Sequence, residues 1–250
     1  MTSIHTFIIS WAGQHANAEA IARAVKPHSD RTTIAYSDPD PDFAFDPAFD
    51  VLTRPNHLMF ADKFQACLGH CESDVLLLIH ADSRCKSWPS LVEKCRDAFD
   101  RYPEINVWAP KIDGTFFNVE FTEISRLADH LSVVAGTDAI VVAFRRDAIA
   151  RFATCDLERN FHGWGVDWVL TCHSYANNMI AVVDRTIPVH HAESRSYSHE
   201  AAWQQMVEFL DGLTPFEKTL YRLLQGYIEA RTALSRAEKR DVDAVPDSAA

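Results

Sequence analysis

The feature that most constrains this chain is the run DVLLLIHAD at residues 74–82, an unbroken block of large apolar residues bracketed by polar ones. A strand with one wet face alternates apolar and polar residues, whereas a continuous apolar block of this length reads as a strand covered on both faces. Such strands belong to sheets that carry helices on both sides, and the surrounding sequence has the matching alternation. Residues 6–10 (TFIIS) form another apolar run, residues 17–25 are alanine-rich and favour helix, and residues 31–36 return to β-branched residues. Residues 58–71 have a helical pattern. Residues 87–101 have an amphipathic one, with Ser87 placed to cap it and Pro89 in its first turn. Residues 105–109 read as a further strand. The first 110 residues therefore predict an α/β fold with a mainly parallel sheet.

Later segments are less regular. Residues 38–50 are dense in Pro and Asp and read as a loop. Residues 115–122 and 138–144 read as strands, residues 146–152 as a short helix, and residues 166–176 as a longer helix entered from Gly163-Trp164-Gly165. Residues 180–184 and 186–190 complete the predicted strands. From residue 199 to 239 the pattern is helical, with Trp203, Met206, Val207 and Leu210 spaced for one buried face and Leu220, Leu223, Leu224 and Tyr227 for another. These helices are expected to pack on the α/β body or to join two copies in a homodimer. Residues 241–250 hold no core-forming residues and are expected to form a disordered tail.

Charge and composition exclude several classes. The chain has 250 residues, with 24 Lys plus Arg against 35 Asp plus Glu, a net charge of −11. No apolar run approaches the roughly 18 residues that span a bilayer, so no transmembrane segment is expected. The first ten residues carry no basic segment and no long apolar core of a secretory signal, which makes the cytoplasm the expected compartment. The six cysteines lie in apolar segments and read as buried free thiols. Cys67, His70 and Cys71 lack the fourth partner of a tetrahedral zinc site. The acidic balance argues against nucleic acid as a partner, since phosphate backbones are held by clustered Lys and Arg. Neither GxGxxG nor a P-loop occurs, which disfavours dinucleotide enzymes and P-loop ATPases.

In open parallel sheets, ligands gather at the carboxyl ends of the strands, where Asp38, His80 and Asp82 fall. A carboxylate and an imidazole just past a buried strand suit a divalent cation, while an aspartate there equally starts a turn. The segment GWGVDW, Gly163 to Trp168, sets two glycines, two indoles and one acid at a loop-to-helix junction. Asp167 reads as a base or as a first-turn acid facing the helix dipole, and Trp164 and Trp168 as a surface for stacking a sugar ring or as core aromatics. His190-His191 ends the last strand with two candidate metal ligands, and Arg195 sits in the polar loop after it.

Taken together, these residues resemble a GT-A fold glycosyltransferase of the family 2 type over about residues 4–197. The resemblance rests on the opening β-α-β unit, Asn56 and the helix after it, and residues 74–82 in the place of the strand ending in DxD. It extends to Ala143-Phe-Arg-Arg-Asp147, to Gly163–Trp168 in the place of the ED motif, and to the late strand ending in histidine. It implies a mixed, mainly parallel central sheet flanked by helices, with residues 1–197 as the glycosyltransferase domain, 198–240 as a helical extension and 241–250 as a tail. It further implies an inverting hexosyltransferase-like enzyme of polysaccharide biosynthesis. The enzyme would take a sugar from a UDP or dTDP donor to an acceptor hydroxyl, with Mn²⁺ or Mg²⁺ as cofactor.

Carried over by residue, the resemblance implies that Asp82 and His190 or His191 hold the metal and that Asp38, His80, Asp82 and Arg195 contact the donor. Gly163, Trp164 and Trp168 would meet the acceptor, with Asp167 as general base. Two positions depart from the pattern: His80 stands in the place of the first DxD acid, and Val166 in the place of the glutamate before the base. These departures motivate a second expectation, a sugar-nucleotide-binding pseudoenzyme. A nucleotidyltransferase would want a basic phosphate loop near the N-terminus, where residues 10–14 read SWAGQ.

Overall fold

The computed structural model of the protein describes residues 1–37, 44–55, 59–191 and 197–243. In chain order the elements begin with β1 (Ile4–Trp11), α1 (His15–Val25), β2 (Arg31–Ser37), β3 (Asp50–Arg54), α2 (Met59–His70) and β4 (Val75–His80). They continue through β5 (Ser83–Cys85), α3 (Trp88–Arg101), β6 (Ile105–Asp113), α4 (Val119–Thr122), β7 (Glu123–Arg126) and β8 (Leu131–Val134). The last are β9 (Val141–Arg145), α5 (Ile149–Phe152), α6 (Val166–Ala176), β10 (Ile180–His191), α7 (His199–Leu210) and α8 (Pro215–Asp243).

One sheet runs through the molecule in the order β3-β2-β1-β4-β9-β6-β10-β8-β7, with β5 paired to β10. β1, β2, β3 and β4 are parallel to one another, and β6 is parallel to β10. β9 lies antiparallel between β4 and β6. The sheet is thus mixed and mainly parallel, with helices on both faces. Its side chains alternate between two cores: Phe7, Ile9, Leu76 and Leu78 pack toward α2 and α6, and Ile4, Ile8, Val75 and Leu77 toward α1 and α3. An apolar residue at each position from Val75 to Ile79 of β4 is therefore required, because both of its faces are dry there.

Several boundaries differ from the sequence expectations. Residues 115–122 form no strand: Asn118 caps the short α4 by accepting from the Glu120 N–H at 3.0 Å. The hairpin β7–β8 and the edge strand β3 were not anticipated, since each strand is only four or five residues long. The two strands expected over 180–190 are one, interrupted by a register shift between Asp184 and Pro188. On α7 the buried residues are Ala202, Met206, Phe209 and Leu210, so Trp203 and Val207, 48% and 49% exposed, do not join the expected face. Leu223 on α8 is likewise exposed. α8 packs on α6 and α4 and is helical through Asp243; the rest of the expected tail, residues 244–250, lies outside the described residues.

Candidate metal and donor site

Parallel β1, β2 and β4 end side by side, and the backbone locks their ends together: Ala81 N–H donates to Ile9 O, and His80 N–H to Ile140 O, both at 2.9 Å. Asp82 follows at once. The short β5 then pairs antiparallel with the end of β10, setting His191 opposite Ser83 and His190 opposite Arg84. That pairing brings the two ends of a long chain segment to one point. His191 Nε2 lies 3.1 Å from Asp82 Oδ2, and ligand atoms of His80, Asp82 and His191 all fall within 4.8 Å of one another. Successive residues of a strand face opposite ways, and His190 accordingly points outward, exposed, and takes no part in the cluster. Of the two histidines anticipated as ligands, the geometry assembles His191 alone.

Two atoms of this cluster, His80 Nε2 and Asp82 Oδ1, are buried and have no hydrogen-bond partner among the described residues. Burial lowers the His80 imidazole to about 4, so its ring is neutral and can offer a lone pair. Trp11 and Phe60 hold that ring, at centroid distances of 5.9 and 5.1 Å. For Asp82, burial pushes the carboxyl up, but the His191 hydrogen bond and the two neighbouring imidazoles outweigh it and leave the group below its ordinary value. One carboxylate and two imidazoles, with His80 Nε2 and Asp82 Oδ1 unpartnered among the described residues, form a donor set that suits a divalent cation.

Beside the cluster stands Lys63 of α2, which is 3% exposed and donates to Ser37 Oγ at the end of β2. Burial lowers its ammonium to about 8. Lys63 was not anticipated. The only sequence signal was its place within the stripe of Phe64, Cys67 and Leu68, where a lysine is out of character.

The GWG turn delivers Asp167. Gly163 and Gly165 have φ of +72° and +91°, and a Cβ on Gly163 would sit 1.9 Å from the Phe60 ring. Gly163 is therefore closed off by Phe60 instead of facing an acceptor. α6 is buried nearly all round, and Trp168 lies 5% exposed between Phe117 and Tyr221, at centroid distances of 5.3 and 5.0 Å. It is a core aromatic, which corrects its expected acceptor role. Trp164 remains half-buried, with its indole N–H donating to Tyr197 OH at 3.1 Å and its ring edge-on to His199.

Asp167 itself is 8% exposed. Burial, followed by the charge of Asp138, raises its carboxyl to about 8 against the pull of backbone N–H groups at the helix start. Asp138, just before β9, was also not anticipated. It accepts from Thr115 Oγ1 and from Ile140 N–H, and its charge is felt by both Asp167 and His191. Three carboxylates and two imidazoles thus line one end of the sheet. Asp38, Arg195 and Asn56 lie outside the described residues.

The fold so defined is that of the GT-A glycosyltransferases. GalNAc-T7, solved with UDP, GalNAc and Mn²⁺, matches with a TM-score of 0.57 at 9% identity, covering 84% of this chain and 48% of that one. This chain therefore spans about half the length of that protein. The mannosyltransferase PcManGT from Pyrobaculum calidifontis, solved with GDP-Man and Mn²⁺, matches at 0.56 and 11% identity, over 94% of this chain and 75% of that one. Glucosyl-3-phosphoglycerate synthase from Mycobacterium tuberculosis, with Mn²⁺, UDP and glucosyl-3-phosphoglycerate, matches at 0.55 and 14% identity over 84% and 80%. No family model and no curated protein matches the chain. At such identities the likeness concerns the fold, and the chemistry must be argued from the site.

Proposed function

We propose that this protein is a metal-dependent glycosyltransferase of the family 2 type. It would move a sugar, with inversion, from a UDP or dTDP donor to a hydroxyl of a glycan or glycoconjugate in polysaccharide biosynthesis. One observation carries this reading: His80 Nε2 and Asp82 Oδ1, buried and unpartnered among the described residues, converge with His191 at the strand ends of a GT-A sheet. A buried polar atom without a partner costs about 1–3 kcal/mol, a cost that a ligand at this point removes. Mn²⁺ or Mg²⁺ held there would supply the positive charge that stabilises a departing diphosphate. The similar structures named above contain Mn²⁺ and nucleotide ligands, which supports the same requirement here.

The chain's own groups account for the rest. Asp82 and His191, fixed by the β5–β10 pairing, orient the donor's diphosphate end, and Lys63 adds a buried positive charge at the end of β2. In this reading Asp38 contacts the base and Arg195 the diphosphate. Asp167 accepts the proton of the acceptor hydroxyl. With its carboxyl raised to about 8, Asp167 carries the base form in a minority of molecules at neutrality, so transfer rises with pH through that value. Trp164, half-buried beside it, offers an apolar face to the acceptor ring. One displacement with base and leaving group on opposite sides inverts the anomeric carbon.

A second reading, a sugar-nucleotide-binding protein without transfer, draws on His80 in the place of an acid. Asp167→Asn separates the two. Under the transferase reading donor binding survives and transfer falls by about 10² or more, the usual loss for a positioned base. A binding protein shows donor binding and no transfer in either form. No helix among the described residues is long and apolar enough to cross a membrane. In this reading the protein works in the cytoplasm, at or near the inner face of a membrane, and pairs with a second copy through α8, where Leu223 and Leu234 are exposed.

A further inference from the structure

Among the described residues, the donor set at the end of β4 has two imidazole nitrogens and one carboxylate. His80, Asp82 and His191 bring one ligand atom each within 4.8 Å of the others. Asp138, the other carboxylate whose charge reaches this cluster, already accepts from Thr115 Oγ1 and Ile140 N–H. His80 is no loose surface ring. Its Nε2 is buried and unpartnered among the described residues, and Trp11 and Phe60 hold the ring in place.

Mg²⁺ is a hard ion that keeps its waters and is drawn chiefly by carboxylate and phosphate oxygen. Imidazole suits the later ions of the first row, whose affinity for nitrogen rises along the series that begins at Mn²⁺. A carboxylate at position 80 would give the site a second negative charge and a hard oxygen. A neutral nitrogen gives neither. We propose that His80 makes this a transition-metal site that discriminates against Mg²⁺, and that His80 is the residue that sets the ion selectivity. This deepens the metal requirement of the reading above and rests on its assignment of the cation to this cluster.

Co²⁺ is the probe of choice, because its visible d–d absorption reports nitrogen ligation without any enzymatic turnover. The full chain is titrated with Co²⁺ and with Mg²⁺ alone, by absorption and calorimetry, in the wild type and in His80→Asp, Asp82→Ala and His190→Ala. Almost any nitrogen-containing site ranks Co²⁺ above Mg²⁺, so the informative quantity is the ratio of the two affinities and how the variant changes it. His80→Asp should narrow that ratio by about tenfold or more, through weaker Co²⁺ and tighter Mg²⁺ binding, and should alter the Co²⁺ spectrum. Asp82→Ala should abolish the band, which excludes Co²⁺ held by the half-buried Cys85. His190→Ala should change nothing.

An unchanged ratio in a folded His80→Asp, or a Co²⁺ spectrum indifferent to it, overturns the proposal. Should His80→Asp fail to melt cooperatively, His80→Asn, neutral and close in size, must still weaken Co²⁺ binding, and an unweakened titration overturns the proposal equally. A parallel titration with UDP keeps the two readings apart. A shifted metal ratio with no nucleotide binding upholds the selectivity and removes the donor assignment. UDP binding that Mg²⁺ supports as well as Co²⁺, in wild type and variant alike, does the reverse.

Discussion

Asp167 stands at the start of α6, where backbone N–H groups favour an anion, yet burial and the charge of Asp138 raise its carboxyl to about 8. The folded state therefore holds a proton that the unfolded chain, with an aspartate near ~4, has already lost. Between those two values the native state binds more protons than the unfolded state, so stability falls as pH rises through that window. Asparagine cannot ionise. Asp167→Asn should match the wild type below about pH 4, gain on it through the window and keep the full advantage above pH 8. Each unit of upward shift is worth about 1.4 kcal/mol, and in a chain of this size each kcal/mol raises the melting temperature by ~2–4 °C. Melting curves across pH 4–9 that coincide for the two proteins would show that Asp167 is not held protonated. At this scale the sequence was legible where strands end: Asp82 and the pair His190-His191 follow apolar runs and were candidates from pattern, while the choice of His191 came only with the β5–β10 pairing. Lys63 and Asp138 were not, because the first is hidden in a helical stripe and the second meets Asp167 only through the folded sheet. Trp168 misled because an unusual hexapeptide drew attention to chemistry, while α6, apolar on nearly every side, required its indole in the core.

Among the elements, α8 is joined to the α/β body by one buried ion pair. Arg151, one residue before the end of α5, donates through Nε and Nη2 to Glu217 Oε1 and Oε2 at 2.9 and 2.8 Å, with the two side chains 8% and 3% exposed. Glu217 also accepts from Thr214 N–H at 2.8 Å, closing the turn that opens α8. Removing one partner strips a buried charge of its main counter-ion, which typically costs about 3–5 kcal/mol, whereas replacing both by apolar residues is far milder. Urea unfolding should find Glu217→Ala strongly destabilised and the double variant Arg151→Met with Glu217→Leu largely recovered. A single variant within ~0.5 kcal/mol of wild type, as at an ordinary surface site, would contradict this anchor. Burial pushes Glu217 up, but Arg151 and Thr214 outweigh it and hold the carboxyl below its usual range. The stability it contributes is thus present above the unfolded carboxylate value and is lost as pH falls through the lowered folded one. The pair was invisible in the sequence, since nothing local links residues 151 and 217. α1, α2, α3 and α6 were legible within a residue or two, because each has a long apolar stripe and a clear boundary. β3, β7 and β8 were missed for the opposite reason: each is only four or five residues long and lies toward the sheet's margins, and β3 and β7 are rich in polar residues besides.

For the molecule as a whole, a net charge of −11 surrounds a site built to attract a cation and a diphosphate. Clustered acids raise the local cation concentration, while the bare donor is repelled until that charge is offset. Donor binding should accordingly depend steeply on the divalent ion and weaken with added EDTA. The exposed Leu223 and Leu234 on one long helix belong to the same scale. If α8 pairs two copies, Leu223→Glu should convert a dimer in analytical ultracentrifugation to a monomer with its melting temperature intact, and a wild type that sediments as a monomer at tens of micromolar removes the pairing. The central claim, that the strand-end cluster serves a nucleotide-sugar transferase, is tested most directly by donor turnover. The measurement is nucleoside diphosphate release from a panel of UDP- and dTDP-sugars, in the presence of glycan acceptors and Mn²⁺, by the wild type and by Asp82→Ala. Release is expected from at least one donor, dependent on the acceptor, abolished by EDTA and absent in a folded Asp82→Ala. Release that persists in EDTA and in Asp82→Ala, or no release from any donor by a wild type that binds both Mn²⁺ and nucleotide, would contradict it.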